Sequence, residues 1–578
     1  MTEDERTVLA DISMDVPWAL VELFATMLRV HPDEANRAAD VLVERLRELG
    51  VPVQVHEPSL YLSLPVHAEV RAGGRTLRAK PPAGSYNAPN GVEGQLIHVP
   101  AGFAVGSEDV FDTYDEASVG RLDLEGKIVL TEGFASPANV SALQKQGAVA
   151  VIATNPGEAI HWGTCTPVWG VPGLDELNQR PAIPAVNVNR ADGEALRELA
   201  SHGERVTVVV EMEEGWFRSK LPEVRLEGTE SDEFVLLHGH YDSWDVGVGD
   251  NATGDATMLE VARVLHMHQD RLKRGVRIAW WPGHSTGRYA GSTWYADTFA
   301  IDLVERCVAQ VNCDSPGCRW ATEYKDVSLT AETEAFAAGV IRDSVGQDLH
   351  AERAAQAGDY SFNNLGLSGY FMLLSTMPDD LRAEKGYYGV GGCGGNIAWH
   401  TENDTLEIAD REILEKDIRI YLLAIIRNAN AEILPLDWRH TVTGFQKTLT
   451  HYQHAAGDRA DLVPALNEAK HLASVLDRFY SDLGAGNVTP ADANEALRKL
   501  SRILVPLDYT TGPRFVHDPA LTAPPLPDLA LAERLGELDA DKLPFAQTQL
   551  LRGRNRVVAG LREAVGVVAS VPHPSRNT

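Results

Sequence analysis

The chain has 578 residues, 44% hydrophobic and 23% charged, with 49 glycines and 31 prolines, which suits about three or four folded domains and excludes disordered, collagen-like and coiled-coil classes. Aspartate and glutamate number 82 against 52 lysines and arginines, leaving a formal charge of −30. That charge repels phosphate backbones and anionic lipid, so neither nucleic acid nor a membrane surface is expected as a partner.

Four regions differ in texture. In residues 1–68, apolar residues recur at helical spacing from Val16 to Gly50, and the helix predicted over Asp33–Leu49 stops at Gly50. A short β-like stretch follows at Val51–Val55. Residues 69–215 alternate strands at 127–130, 148–152 and 185–188 with helices at 137–146 and 191–200. Residues 216–435 repeat the pattern with more apolar strands at 234–237, 276–281, 307–312 and 370–374, and helices at 253–267 and 332–345. This order predicts an α/β fold with a mostly parallel, doubly wound sheet. Residues 436–578 carry long helical periodicities at 462–483 and 490–504 and a proline-rich break at 519–527, as an appended helical domain would.

Cys165, Cys307, Cys313, Cys318 and Cys393 are too few and too irregular for a disulfide framework, and no CxxC pair suggests a zinc ribbon. The acidic start Met1-Thr-Glu-Asp-Glu-Arg lacks the order of a secretory signal, and no apolar run is long enough to cross a bilayer. The expectation is a cytoplasmic protein without a membrane partner.

In an open parallel sheet, ligands bind beyond the carboxyl ends of the strands. The strand at 234–237 runs into His238-Gly-His240-Tyr-Asp242 and on to Gly249-Asp250-Asn251. The strand at 276–281 runs into Pro282-Gly-His284-Ser285, and that at 307–312 into Cys313-Asp314-Ser315. Trp399-His400-Thr401-Glu402-Asn403-Asp404-Thr405 follows later. Each histidine alone reads as a hydrogen-bonded surface residue, and each aspartate as a cap or turn. Together they supply imidazole and carboxylate, the donors of a catalytic zinc-type site. His266 and His268 read as helix-terminal residues, Cys307, Cys313 and Cys318 as buried structural thiols, and Gly389–Gly395 as a run that lets backbone approach the cleft. Glu402 and Asp404 are expected to position His400.

His240-x-Asp242, Asp250, Asp314 and Trp399-His400-Thr401-x-x-Asp404-Thr405 resemble the co-catalytic zinc aminopeptidase and glutamate carboxypeptidase family, whose non-catalytic relative is the transferrin receptor. The resemblance spans nearly the whole chain. It implies a peptidase-like sheet domain in two parts, 1–68 and 216–435, a protease-associated domain inserted at 69–215, and a helical dimerisation domain at 436–578. It further implies His240, Asp250 and Asp314 as ligands of one metal, Asp250 and His400 as ligands of a second, and Asp242 as the carboxylate that orients His240. A cis bond after Asp250 and a homodimer through the helical domain are implied as well.

The family carries a Glu-Glu pair, general base then metal ligand, where this chain has His284-Ser285. Asp250 and Asp314 together carry −2, enough to balance one divalent ion, and a second uncompensated ion in a low-dielectric cleft is costly. One zinc ion per chain is expected, with two as the alternative, and iron, manganese, nickel or copper also suit these donors. His284 is a candidate base, its ordinary pKa near 6.5 suiting proton transfer at neutral pH, and also a candidate ligand. Trp399 and Ser285 are candidate substrate contacts. The leading expectation is a metal-dependent hydrolase of a small or short peptide-like amide substrate. The alternatives are a non-hydrolytic, lyase-type metalloenzyme using His284, and a binding protein of the transferrin-receptor type.

Overall fold

In the computed structural model, residues 1–104, 111 and 123–572 are described. Among the described residues fifteen strands form two sheets. In chain order they are β1 (Val53–His56), β2 (Ser59–Ala72), β3 (Arg75–Arg78), β4 (Ala88–His98), β5 (Lys127–Glu132), β6 (Ala150–Thr154), β7 (Ala185–Val188), β8 (Arg205–Arg218), β9 (Leu221–Leu226), β10 (Phe234–His240), β11 (Gly275–Trp281), β12 (Cys307–Asn312), β13 (Val327–Leu329), β14 (Ala351–Arg353) and β15 (Gly369–Tyr370).

The larger sheet has the order β1-β9-β11-β10-β12-β15-β13-β14. Its centre, β11-β10-β12-β15, is parallel, while β9 joins β11, β1 joins β9 and β13 joins β15 antiparallel. At the far edge β13 and β14 pair parallel again, so the sheet is mostly parallel, with its antiparallel pairs at β1-β9, β9-β11 and β15-β13. Every residue of β10, β11 and β12 is buried, as strands covered on both faces require. Alternation assigns the faces: Val235, Leu237, Ile278 and Trp280 pack under the helices Thr253–Met267 and Arg411–Asn430, and Leu236, Ala279 and Trp281 under Tyr295, Leu303 and Phe362. The strand expected at 370–374 ends at Tyr370, because Phe371 turns to φ +64° and leaves the ladder.

The second sheet has the order β3-β2-β8-β4-β5-β6-β7. It starts at Ser59, inside the stretch assigned from sequence to 1–68, because β2 pairs with β8 from Ser59↔Arg218 onward as one long ribbon. Its loop after β6 lies against the crest of the larger sheet. The carboxyl-terminal part is helical, with Trp438–Ala456, Val463–Gly484, Pro490–Tyr509 and Leu543–Ala569. Among the described residues no helix is long and apolar enough to cross a membrane.

Candidate metal centre

His240 closes β10, Asp314 lies two residues past β12, and His284 three past β11, so all three stand at carboxyl ends of parallel strands. Asp250 sits in a wide turn, Val248–Ala252, ahead of the helix Thr253–Met267, and the Asp250–Asn251 bond is cis. Asn251, noted in the sequence only as the residue after Asp250, stitches these ends together. Its amide donates to the carbonyls of His240 (3.1 Å) and Cys313 (3.0 Å) and accepts from the Ser315 N–H (3.0 Å).

Asp250 lies between two imidazoles: its Oδ1 is 3.0 Å from His240 Nε2 and its Oδ2 is 3.1 Å from His400 Nε2. Asp314 Oδ2 stands 3.5 Å from the same His240 nitrogen. Burial alone would strip the His240 proton, but Asp250 and Asp314 outweigh it and hold the ring well above its ordinary pKa. Asp250, despite burial, is held well below the usual carboxylate range by His240 and His400. The cleft thus favours positive charge between these groups. His240 Nε2 and Asp250 Oδ1 are buried and close, yet not aligned as a hydrogen bond. Inward-facing imidazole and carboxylate atoms of this kind fit a divalent transition metal.

The three histidines share one device: each Nδ1 is occupied by an oxygen, which leaves Nε2 as the free nitrogen, turned toward Asp250 in His240 and His400. His240 Nδ1 bonds the Asp242 carbonyl (2.8 Å), His400 Nδ1 the Trp162 carbonyl (3.0 Å), and His284 Nδ1 the Asp359 carboxylate (2.9 Å). This corrects the part expected of Asp242, whose carboxylate is 3.9 Å from His240 Nδ1 and accepts from the His284 N–H (3.1 Å). The local chain after β10 turns back so that backbone, not side chain, meets the imidazole.

Two further expectations change. Asp404 does not touch His400; its carboxylate accepts the N–H groups of Gly249 (2.7 Å) and Asp250 (3.0 Å), and so holds the turn that carries Asp250. Glu402 pairs with Lys80 (2.9 Å) and Arg78 from the second sheet. His400, at φ +58°, is held instead by Trp162, whose N–H donates to the His400 carbonyl (2.7 Å) and whose carbonyl meets Nδ1. Trp399, expected to touch substrate, is buried and spends its ring on His400, stacked at 3.6 Å. Ser285, also expected to touch substrate, is buried, with its carbonyl accepting from Thr164 Oγ1 (3.1 Å). Trp162 and Thr164 show that the second sheet builds one wall of the site, which no strand-end rule could reveal.

His284 stacks on His240 with ring centroids 3.8 Å apart and planes at 16°. His240, His284 and Asp314 offer atoms within 4.8 Å of one another, but distance alone is not coordination. An imidazole lone pair lies in its ring plane, and a zinc–nitrogen bond is about 2.0–2.1 Å. Two nearly parallel, stacked rings cannot both direct lone pairs at one ion, so His284, a candidate ligand from sequence, does not share an ion with His240 in this arrangement.

Comparison with known proteins agrees with the fold. Residues 224–424 match the model of peptidase family M28, and residues 92–196 match the PA domain. Leucine aminopeptidase 2 of Arthroderma otae is 26% identical over 283 residues, covering 48% of this chain and 52% of the relative, so the chain spans about half of that relative's length. A probable glutamate carboxypeptidase VP8 of Zea mays is 24% identical over 541 residues, covering 82% of this chain and 72% of the relative. Among solved structures, a zinc aminopeptidase from Bacillus subtilis superposes with TM-score 0.55 at 17% identity, covering 73% of this chain and 96% of that one. A peptidase M28 precursor from Shewanella amazonensis gives 0.56 at 18%, covering 75% and 97%. At such identities these two likenesses speak to the fold.

Proposed function

We propose that this chain, whose residues 224–424 match peptidase family M28 and whose residues 92–196 match the PA domain, is a metal-dependent hydrolase of an amide or peptide-like bond. The observation that carries this reading is Asp250 suspended between His240 and His400 with Asp314 alongside. His240, Asp250 and Asp314 would hold one divalent ion, zinc by the chemistry of the donors. When bound, such an ion polarises the amide carbonyl and lowers the pKa of water. His400 and Asp250 flank the place of a second ion, but Asp250 and Asp314 balance the charge of only one.

His284 has the position of the proton carrier. Its Nε2 takes one proton as the water oxygen bonds the carbonyl carbon, and returns it to the nitrogen as the C–N bond breaks, leaving acid and amine and restoring the imidazole. Trp162 and Trp244, stacked at 5.2 Å, with Trp399, exclude bulk water from the flank of His400. A homodimer through the helical region is part of the reading, supported by the exposed apolar side chains of Val463, Phe545 and Leu551 on its helices. A reducing, cytoplasmic setting is likewise our reading, supported by five free and buried cysteines.

The test is metal content per chain on freshly purified protein, with hydrolysis of L-leucine p-nitroanilide and of a dipeptide ending in glutamate before and after chelation. About one equivalent and chelator-sensitive cleavage are expected. Metal near zero overturns the hydrolase, two equivalents overturn the one-ion reading, and sedimentation as a monomer overturns the dimer.

A further inference from the structure

His284 owes its orientation to a residue far from it in sequence. Asp359 is fully buried, in a loop ahead of the turn Asn363–Leu365, and its Oδ2 meets His284 Nδ1 at 2.9 Å. Its other oxygen, Oδ1, accepts from Ser292 Oγ at 2.8 Å. Ser292 Oγ is also 2.8 Å from Ser361 Oγ, which accepts from the Trp169 indole N–H at 2.7 Å. Both carboxylate oxygens are thus tied, so the group cannot rotate away from the imidazole. Burial pushes the Asp359 pKa up, yet the neighbouring His284 outweighs it and leaves the carboxyl below its ordinary value. On the other face, the His284 ring is fixed by its stack on His240 and by an edge contact with Tyr289 at 5.1 Å.

We propose that Asp359 is the positioning residue of a His284–Asp359 pair, holding the proton of His284 on Nδ1 so that Nε2 faces the cleft as an acceptor. A carboxylate behind an imidazole fixes the tautomer and stabilises the imidazolium formed when Nε2 takes a proton. In this chain the pair stands where a lone glutamate acts in the family it resembles. The imidazole gains in this way a negative partner that Ser285 does not supply. The catalytic part rests on the hydrolase reading; the tautomer part does not.

The tautomer is read without metal or substrate, from long-range proton–nitrogen NMR spectra of chelated protein labelled at histidine ring nitrogens. The His284 signals are those missing in His284→Gln. The expected result is a proton on Nδ1 in the wild type and mixed tautomers in Asp359→Ala. In the metal-loaded enzyme, Asp359→Ala should lower kcat on L-leucine p-nitroanilide by about 10–100-fold, with KM and metal content unchanged, and Asp359→Glu should restore part of the loss. A wild-type spectrum with the proton on Nε2 overturns the proposal, even if Asp359→Ala fails to fold. Wild-type kcat in a folded Asp359→Ala overturns it as well. Failure of the hydrolase reading shows in metal content and cleavage, not in the spectrum, so the two fail separately.

Discussion

Asp404→Asn probes the support beneath the bridging carboxylate. The Asp404 side chain is 2% exposed and takes one backbone N–H on each oxygen, Gly249 at 2.7 Å and Asp250 at 3.0 Å. Asparagine has the same shape but one acceptor oxygen, so its amide group must face one of the two N–H donors. Burial and the neighbouring Asp250 push the Asp404 pKa up to about 7, so removing the buried charge offsets part of the loss, and the lost hydrogen bond itself, with its donor left buried, costs about 1–3 kcal/mol. For a domain larger than about 250 residues, that corresponds to a thermal midpoint lower by at most about 2–5 °C. The two amides hold the backbone on which Asp250 is aimed at His240 and His400. Loosening such an outer support costs about 10–100-fold in metal affinity. The midpoint is measured by calorimetry in excess chelator, which isolates the cost to the fold, and affinity by competition with a chromophoric chelator. Glu407→Gln, at an exposed carboxylate beyond the same loop, is the control and should change neither. Midpoint and affinity both at wild-type values in Asp404→Asn would refute the assignment of Asp404 to the turn rather than to His400.

Ser285→Glu adds a carboxylate beside His284 and should raise metal content from about one equivalent toward two, read by elemental analysis; unchanged content refutes the charge argument. Asp417 tests stability against pH: burial raises its pKa to about 6, only partly offset by hydrogen bonds from Ser375, Gly317 and Tyr324. A folded value above the unfolded one makes its ionisation costly at pH above 6, and that cost disappears as pH falls below the unfolded value near 3.9. Asp417→Asn, whose amide can face the Tyr324 hydroxyl, should therefore be more stable than the wild type by up to about 3 kcal/mol at pH 8, with the gap closing by pH 4 in denaturant titrations. An equal gap at both pH values refutes this. Gly163→Ala would put a methyl 1.5 Å from the Phe134 ring, between Trp162 and Thr164, so overpacking should cost at least about 1–3 kcal/mol and weaken metal binding, as unfolding and chelator competition would register; unchanged values would count against the wall formed by this loop.

What the sequence determined by itself follows from local periodicity. Helices such as Thr253–Met267 and strands such as Ala185–Val188 and Cys307–Asn312 were legible because side-chain spacing reports which face is buried. His240, Asp314 and His284 were legible because each follows an apolar run, and chain direction in a parallel sheet brings those ends to one crest. Asp250 and His400 came through the family resemblance, since no strand precedes either directly. What only the tertiary structure decided concerns partners distant in sequence. Trp162 meets His400 across 238 residues, Asp404 meets Gly249 across 155, and Asp359 meets His284 across 75. No local pattern encodes such pairs: the angle at which a second sheet's loop settles on the crest depends on packing summed over both domains. The same holds for the turn after β10, which gave the Asp242 carbonyl rather than its carboxylate to His240. A side chain's identity limits the bonds it can make; the fold chooses the partner.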